Sequence, residues 1–180
     1  MTPLMRPDDA PQLERALALL EKTPQLLKTL LAELQEDTLG WKPSPKRWSI
    51  GEILAHLAEL EQVYGQRVQR IVTEDVPALE AYDQNAAAAE GRYSRPDPEE
   101  SLASFIERRE GTLAFLSMLP PGAAARTGKH SEIGSFTLSE MLHELASHDL
   151  GHLRQIAELY RAREFHPHSG PFRKYSNPQP

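Results

Sequence analysis

The chain has 180 residues, 39% of them apolar and 26% charged, which is the balance of a globular protein with enough length for one buried core. Its 20 basic side chains are scattered among 26 acidic ones, giving a net charge of −6 and excluding the gathered cationic face that a nucleic-acid binder needs. There is no cysteine, which excludes disulfides, thiolate metal sites and a cysteine nucleophile, so any thiol chemistry must use a thiol brought by a ligand.

The opening, MTPLMRPDDAPQ, lacks the basic and apolar regions of a signal peptide. No apolar run approaches the roughly 20 residues that cross a bilayer. A cytoplasmic location without membrane contact is the expectation. Asp8 and Asp9 ahead of Pro11 suit a helix start, because a carboxylate caps free N–H groups and proline needs none. Leu13, Leu17, Leu20, Leu27, Leu30, Leu31 and Leu34 then recur at helical spacing to about Thr38, and Pro24 within the run is expected to kink or divide this first helix. Gly40 to Arg47, GWKPSPKR, reads as a loop.

Ser49 and Glu52 form a capping-box pattern that opens a second helix, with Trp48 expected to pack as a staple at its entrance and Trp41 to cover the bundle end. Ile53, His56, Leu57, Leu60, Val63, Tyr64 and Ile71 trace one face of that helix and place His56 on its apolar stripe. Thr73 to Arg95 reads as a long, partly ordered connection in which AAAAE could form a brief helix. Asp97-Pro98-Glu99-Glu100 starts a third helix, carried by Leu102, Phe105, Ile106, Leu113, Leu116 and Leu119 and stopped by Pro120-Pro121-Gly122. After a loop, AAARTGKHSEIGS, Thr137 and Glu140 cap a fourth helix whose apolar face is Leu138, Met141, Leu142, Leu145, Ile156 and Leu159. The tail from Phe165 is rich in proline and polar residues and is expected to be extended over the surface or disordered. Four amphipathic helices without an alternating strand pattern predict an all-α, four-helix bundle, one domain over residues 1–180, with a core of about 12–163 and a long connection between the second and third helices.

His148 and His152 fill the gaps in the apolar stripe of the fourth helix, and at a spacing of four their Cβ atoms stand roughly 6 Å apart on one face. One histidine on an apolar face is ordinarily a hydrogen-bonded core residue, but burying three without partners is costly. A divalent cation would satisfy one nitrogen of each, and His56, His148 and His152 are the candidate metal ligands. Three protein ligands leave a coordination position for water or a substrate thiol. Nitrogen donors suit zinc, nickel, copper or iron.

His148-Asp149-Leu150-Gly151-His152 has the spacing of a zinc-peptidase H-E-x-x-H motif, but the shorter aspartate and the lack of a downstream glutamate argue against a peptidase. Asp149 points about 100° around the helix from His148 and reads as a surface carboxylate or one behind the site. Glu52 is explained by its cap and Glu59 by a solvated flank. His143, roughly 140° from His148, is not expected to ligate; His130 reads as an exposed loop residue, and His166 and His168 as a tail tract of incidental metal affinity.

Arg47 to Leu57, RWSIGEILAHL, together with Thr137 to His143, TLSEMLH, and His148 to Ile156, HDLGHLRQI, resembles the two signature segments of the DinB-like superfamily, a bacterial group that includes the YfiT-type proteins. The pairing of W-S-x-x-E-x-x-x-H with a distant H-D-x-x-H carries the resemblance, which covers roughly residues 12 to 163. It implies a four-helix bundle holding a divalent ion, zinc or nickel before iron or copper, on His56, His148 and His152. It also implies frequent dimers, stress-related relatives, and activities such as metal-dependent thiol S-transfer, in which a small-molecule thiol and an electrophile are the partners. Metal-dependent hydrolysis and a non-catalytic metal-binding bundle are the alternatives.

Overall fold

A computed structural model of the chain describes residues 10–94 and 96–180. Four long helices form the expected bundle: α1 (Ala10–Leu31), α3 (Ile50–Thr73), α5 (Pro98–Ser117) and α6 (Leu138–Tyr160), with short helices α2 (Glu36–Leu39) and α4 (Gln84–Ala89) in the connections. The helix start expected at Asp8 and Asp9 lies outside the described residues. α3 packs along α5, and α1 along α6. None of the described helices is long and apolar enough to cross a membrane.

The helix starts are where their side chains dictate. Ser49 Oγ accepts from the Glu52 amide while Glu52 accepts from the Ser49 amide, and Thr137 and Glu140 repeat the arrangement at α6. Asp97 accepts from the amides of Glu99 and Glu100 at α5, with Pro98 behind it. These caps fix where α3 and α6 begin, and the apolar faces that follow turn His56, His148 and His152 inward.

Two apolar clusters fill the bundle. One gathers Leu20, Tyr64, Val68, Ile71, Met141 and Leu145; the other gathers Leu27, Ile53, Leu57, Phe105, Leu153 and Ile156. α1 runs through Pro24 undivided. Proline removes the donor that would normally serve the Leu20 carbonyl, and Arg109 Nη1 of α5 donates to that carbonyl instead at 3.1 Å. Of the two outcomes expected at Pro24, a kink or a division, the helix is not divided, and the carbonyl that the proline leaves free is served from another helix.

A small sheet departs from the helical expectation. β1 (Ala78–Leu79) pairs in parallel with β2 (Thr127–His130), which pairs antiparallel with β3 (Gly134–Thr137). Two four-residue strands, TGKH and GSFT, are too short and too irregular to show a period of two. Gly128 lets this sheet lie against α3, since a Cβ there would fall 2.7 Å from Leu79 Cδ1 and 3.1 Å from Ile71 Cγ1. Beyond Tyr160 the chain continues in short turns through Tyr175, including the tail from Phe165 expected to be extended or disordered. Arg163 reaches Asp37, Thr38 donates to Glu164, and the Gln179 amide donates to Glu158, which holds the tail against the bundle.

Candidate metal centre

His56 stands inside α3, 1% exposed, and faces His148 and His152 of α6. Their Nε2 atoms converge: His148 Nε2 is 3.2 Å from that of His56 and 3.1 Å from that of His152. Nitrogens bound tetrahedrally to one zinc at about 2.0–2.1 Å stand roughly 3.3 Å apart, so this spacing fits ligands sharing one ion. One ligand atom from each of the three lies within 4.8 Å of the other two.

Burial and then the two neighbouring imidazoles push His56 down to about 3, and burial with His152 takes His148 down to about 4. His152 is lowered too, chiefly by burial. All three rings are therefore neutral at physiological pH, the form with a lone pair to give. When Nε2 carries that lone pair, Nδ1 carries the proton. His152 Nδ1–H then donates to Gln155 Oε1 at 3.1 Å, and His56 Nδ1–H to the Tyr93 hydroxyl at 3.3 Å. Such partners fix the tautomer and ring orientation of a metal-binding histidine. His148 Nδ1 is buried and has no partner among the described residues.

The surroundings correct several expectations. Trp48 is no mere entrance staple: its ring centroid lies 5.0 Å from His56 and 5.4 Å from Tyr93, and it is parallel to His152 within 6°. Tyr93, hydrogen-bonded to Tyr82, comes from the poorly patterned connection after α3. Burial, reinforced by that bond, raises the Tyr93 pKa and keeps the phenol protonated.

Asp149 is not at the surface. It is 1% exposed and pairs with Arg109 at 2.7 Å. Glu61 completes this second cluster, 2.8 Å from Arg109 Nη2. Burial pulls the Arg109 pKa down, but Asp149 and Glu61 together carry it above its ordinary value. Sequence reasoning missed the triad, although Glu61, Arg109 and Asp149 each occupy an inward position of their helix between apolar neighbours.

The remaining candidates bond other groups. Glu52 serves its cap and Lys42, and Glu59 pairs with Arg92. His143 Nδ1 bonds the Ser139 carbonyl, and His130 Nδ1 accepts from the Glu132 amide within the hairpin. His166 and His168 lie in the tail turns. A cavity of about 530 Å³ opens beside His148 and His152, walled by Trp48, Gly151, Gln155 and the cations Lys46, Arg47 and Arg154.

A four-helix bundle with three neutral imidazoles aimed at one point is a protein equipped to hold a metal ion. The sequence profile of the DinB superfamily matches residues 19–156, and the chain belongs to that superfamily. It is 27% identical over 146 residues, 81% of this chain and 84% of the relative, to a protein of Oceanobacillus iheyensis named "Putative metal-dependent hydrolase". YfiT of Bacillus subtilis, which bears the same designation, is 26% identical over 151 residues, 83% of this chain and 85% of YfiT. The solved structure of YfiT, described as an unusual four-helix bundle topology, matches with a TM-score of 0.76 at 24% identity, covering 88% of this chain and 90% of that one.

Proposed function

We propose that His56, His148 and His152 hold one divalent transition metal, zinc or nickel before iron or copper, and that the chain is an enzyme activating a low-molecular-weight thiol for transfer to an electrophile. The observation that carries the metal reading is the convergence of the three Nε2 atoms at 3.1 and 3.2 Å, with the Nδ1 atoms of His56 and His152 turned outward onto Tyr93 and Gln155. An ion held there would have an open position, and would lower the pKa of a thiol at it toward neutrality. The chain's own part is to orient the imidazoles, wall the site with Trp48, and offer no cysteine to compete.

The names of the relatives favour a second reading, metal-dependent hydrolysis. Activating water benefits from a nearby general base. Of the carboxylates flanking the histidines in sequence, Glu52 serves its cap and Lys42, Asp149 serves Arg109, and Glu59 pairs with Arg92 and adjoins Tyr82 and Tyr93, the tyrosines next to His56. A thiol, already acidic near pH 8.5, needs less help to ionise. That difference supports thiol transfer as the first reading.

The test is thiol consumption by metal-loaded protein with chlorodinitrobenzene. The thiol loses its proton to solvent, a carbon–sulfur bond forms, and chloride leaves with the bonding pair. Turnover that disappears on chelation and in His148→Ala supports the proposal. Cleavage of nitrophenyl esters without thiol consumption would move the site to hydrolysis, and full metal uptake with neither reaction would leave a non-catalytic bundle.

A further inference from the structure

We propose that the cavity beside the histidines selects a substrate carrying an anionic group, carboxylate or phosphate, through Lys46, Arg47 and Arg154, and that Gly151 is bare of a side chain to admit it. This rests on the metal reading above and adds the charge of the molecule that the site takes.

The glycine is the first observation. Gly151 lies in the interior of α6, where glycine costs about 1 kcal/mol relative to alanine. Packing does not demand it, because a Cβ built there meets nothing within 4 Å. It lines the cavity between His148 and His152 in sequence, so a large side chain at this position can reach into that space. The cost to the helix leaves this side of the cavity open.

The cations are the second. The chain carries a net charge of −6, yet three basic side chains line this one cavity. Among the described residues, none of the three takes part in an ion pair. Arg154 stands one turn beyond Gly151 on the same side of α6. Lys46 and Arg47 come from the loop before α3, where Pro43 and Pro45 limit the backbone and the Arg47 amide closes a turn onto the Ser44 carbonyl at 3.0 Å. Glu158, the one carboxylate in the lining, is held by Arg161 at 2.8 Å and by the Gln179 amide at 3.0 Å. All three cations are exposed, and Glu158, which faces Arg154, is the carboxylate beside them; cations gathered around one concave opening focus potential on an incoming anion.

Two matched pairs of thiols test this by calorimetry on nickel-loaded protein at low salt: mercaptosuccinate against thioglycerol, and phosphopantetheine against pantetheine. The wild type is expected to bind at least one anionic member roughly tenfold more tightly than its neutral partner, and whichever pair shows the larger ratio names the anion. The ratio should fall toward one in the Lys46→Gln/Arg47→Gln/Arg154→Gln variant and at high salt. Gly151→Leu should keep its metal, measured on the same sample, and lose at least tenfold in affinity for the favoured thiol. Equal binding within both pairs, a preference that survives the triple substitution, or undiminished binding by Gly151→Leu would each overturn the inference while leaving a metal-loaded site intact. A wild type that takes up no metal would remove the metal reading, and this inference with it.

Discussion

Two buried polar clusters join α3 to α6, and they are built on opposite terms. Around Arg109 every donor is used: Nε and Nη2 serve Glu61, Nη1 and Nη2 serve Asp149, and the second Nη1 hydrogen serves the Leu20 carbonyl. That accounts for all five N–H groups of a guanidinium. Around the histidines the reverse holds. Three Nε2 atoms point at one another, although neutral rings presenting lone pairs have nothing to offer each other. A cluster whose guanidinium donors are all used, leaving among the described residues only the acceptor Glu61 Oε1 over, is architecture, whereas one that aims three lone pairs at a shared point is waiting for a ligand.

Breaking the closed cluster should have the largest effect. Arg109→Met leaves two carboxylates in a dry interior, and a loss of about 3–5 kcal/mol in chemical denaturation is expected. Replacing Glu61 and Asp149 by leucine in the same chain should recover most of that loss, because the net worth of a buried ion cluster is small once no charge is stranded. If the single Arg109 variant unfolds like the wild type, the triad is not what ties the helices together.

The open cluster should respond to metal. With free zinc at about a thousand times its dissociation constant, the wild type should gain about 4 kcal/mol, and His148→Ala should gain almost none. An equal gain in both proteins would place the ion elsewhere. Smaller still is the effect of the outward partners. Tyr93→Phe removes the group bonded to His56 Nδ1 and should weaken metal binding by about tenfold, with little change in the melting temperature of metal-depleted protein.

The smallest effect sharpens the account of Pro24. Proline in a helix interior ordinarily costs about 3 kcal/mol. Pro24→Ala should stabilise by about 1 kcal/mol or less, because Arg109 already serves the carbonyl that the proline leaves free. A gain near the full amount would show that contact to be incidental.

The two clusters also differ in how far they could be read from sequence. His56, His148 and His152 were legible because each interrupts an apolar stripe with a residue type that has a ligand chemistry. The caps at Ser49 and Thr137 were legible because capping is local. Glu61, Arg109 and Asp149 interrupt the same stripes, but a charged residue on a helix is so often solvated that each is ordinary alone. Only their meeting across three helices gives them meaning. Trp48 and Tyr93 escaped for a related reason. Their contacts with the histidines depend on where a loop and a long connection fold back, and no periodicity encodes that. The sheet was hidden by strands too short to alternate.

The most direct test of the central claim is elemental analysis of tag-free wild-type protein beside His56→Ala, both supplied anaerobically with zinc, nickel and iron. His56 comes from a different helix than the other two ligands, so it tests convergence rather than the affinity of a two-histidine turn. The account predicts one transition-metal ion per chain in the wild type and its loss in the variant. A wild type that takes up no metal, or a variant that retains the full ion, would contradict a site built from three histidines on two helices.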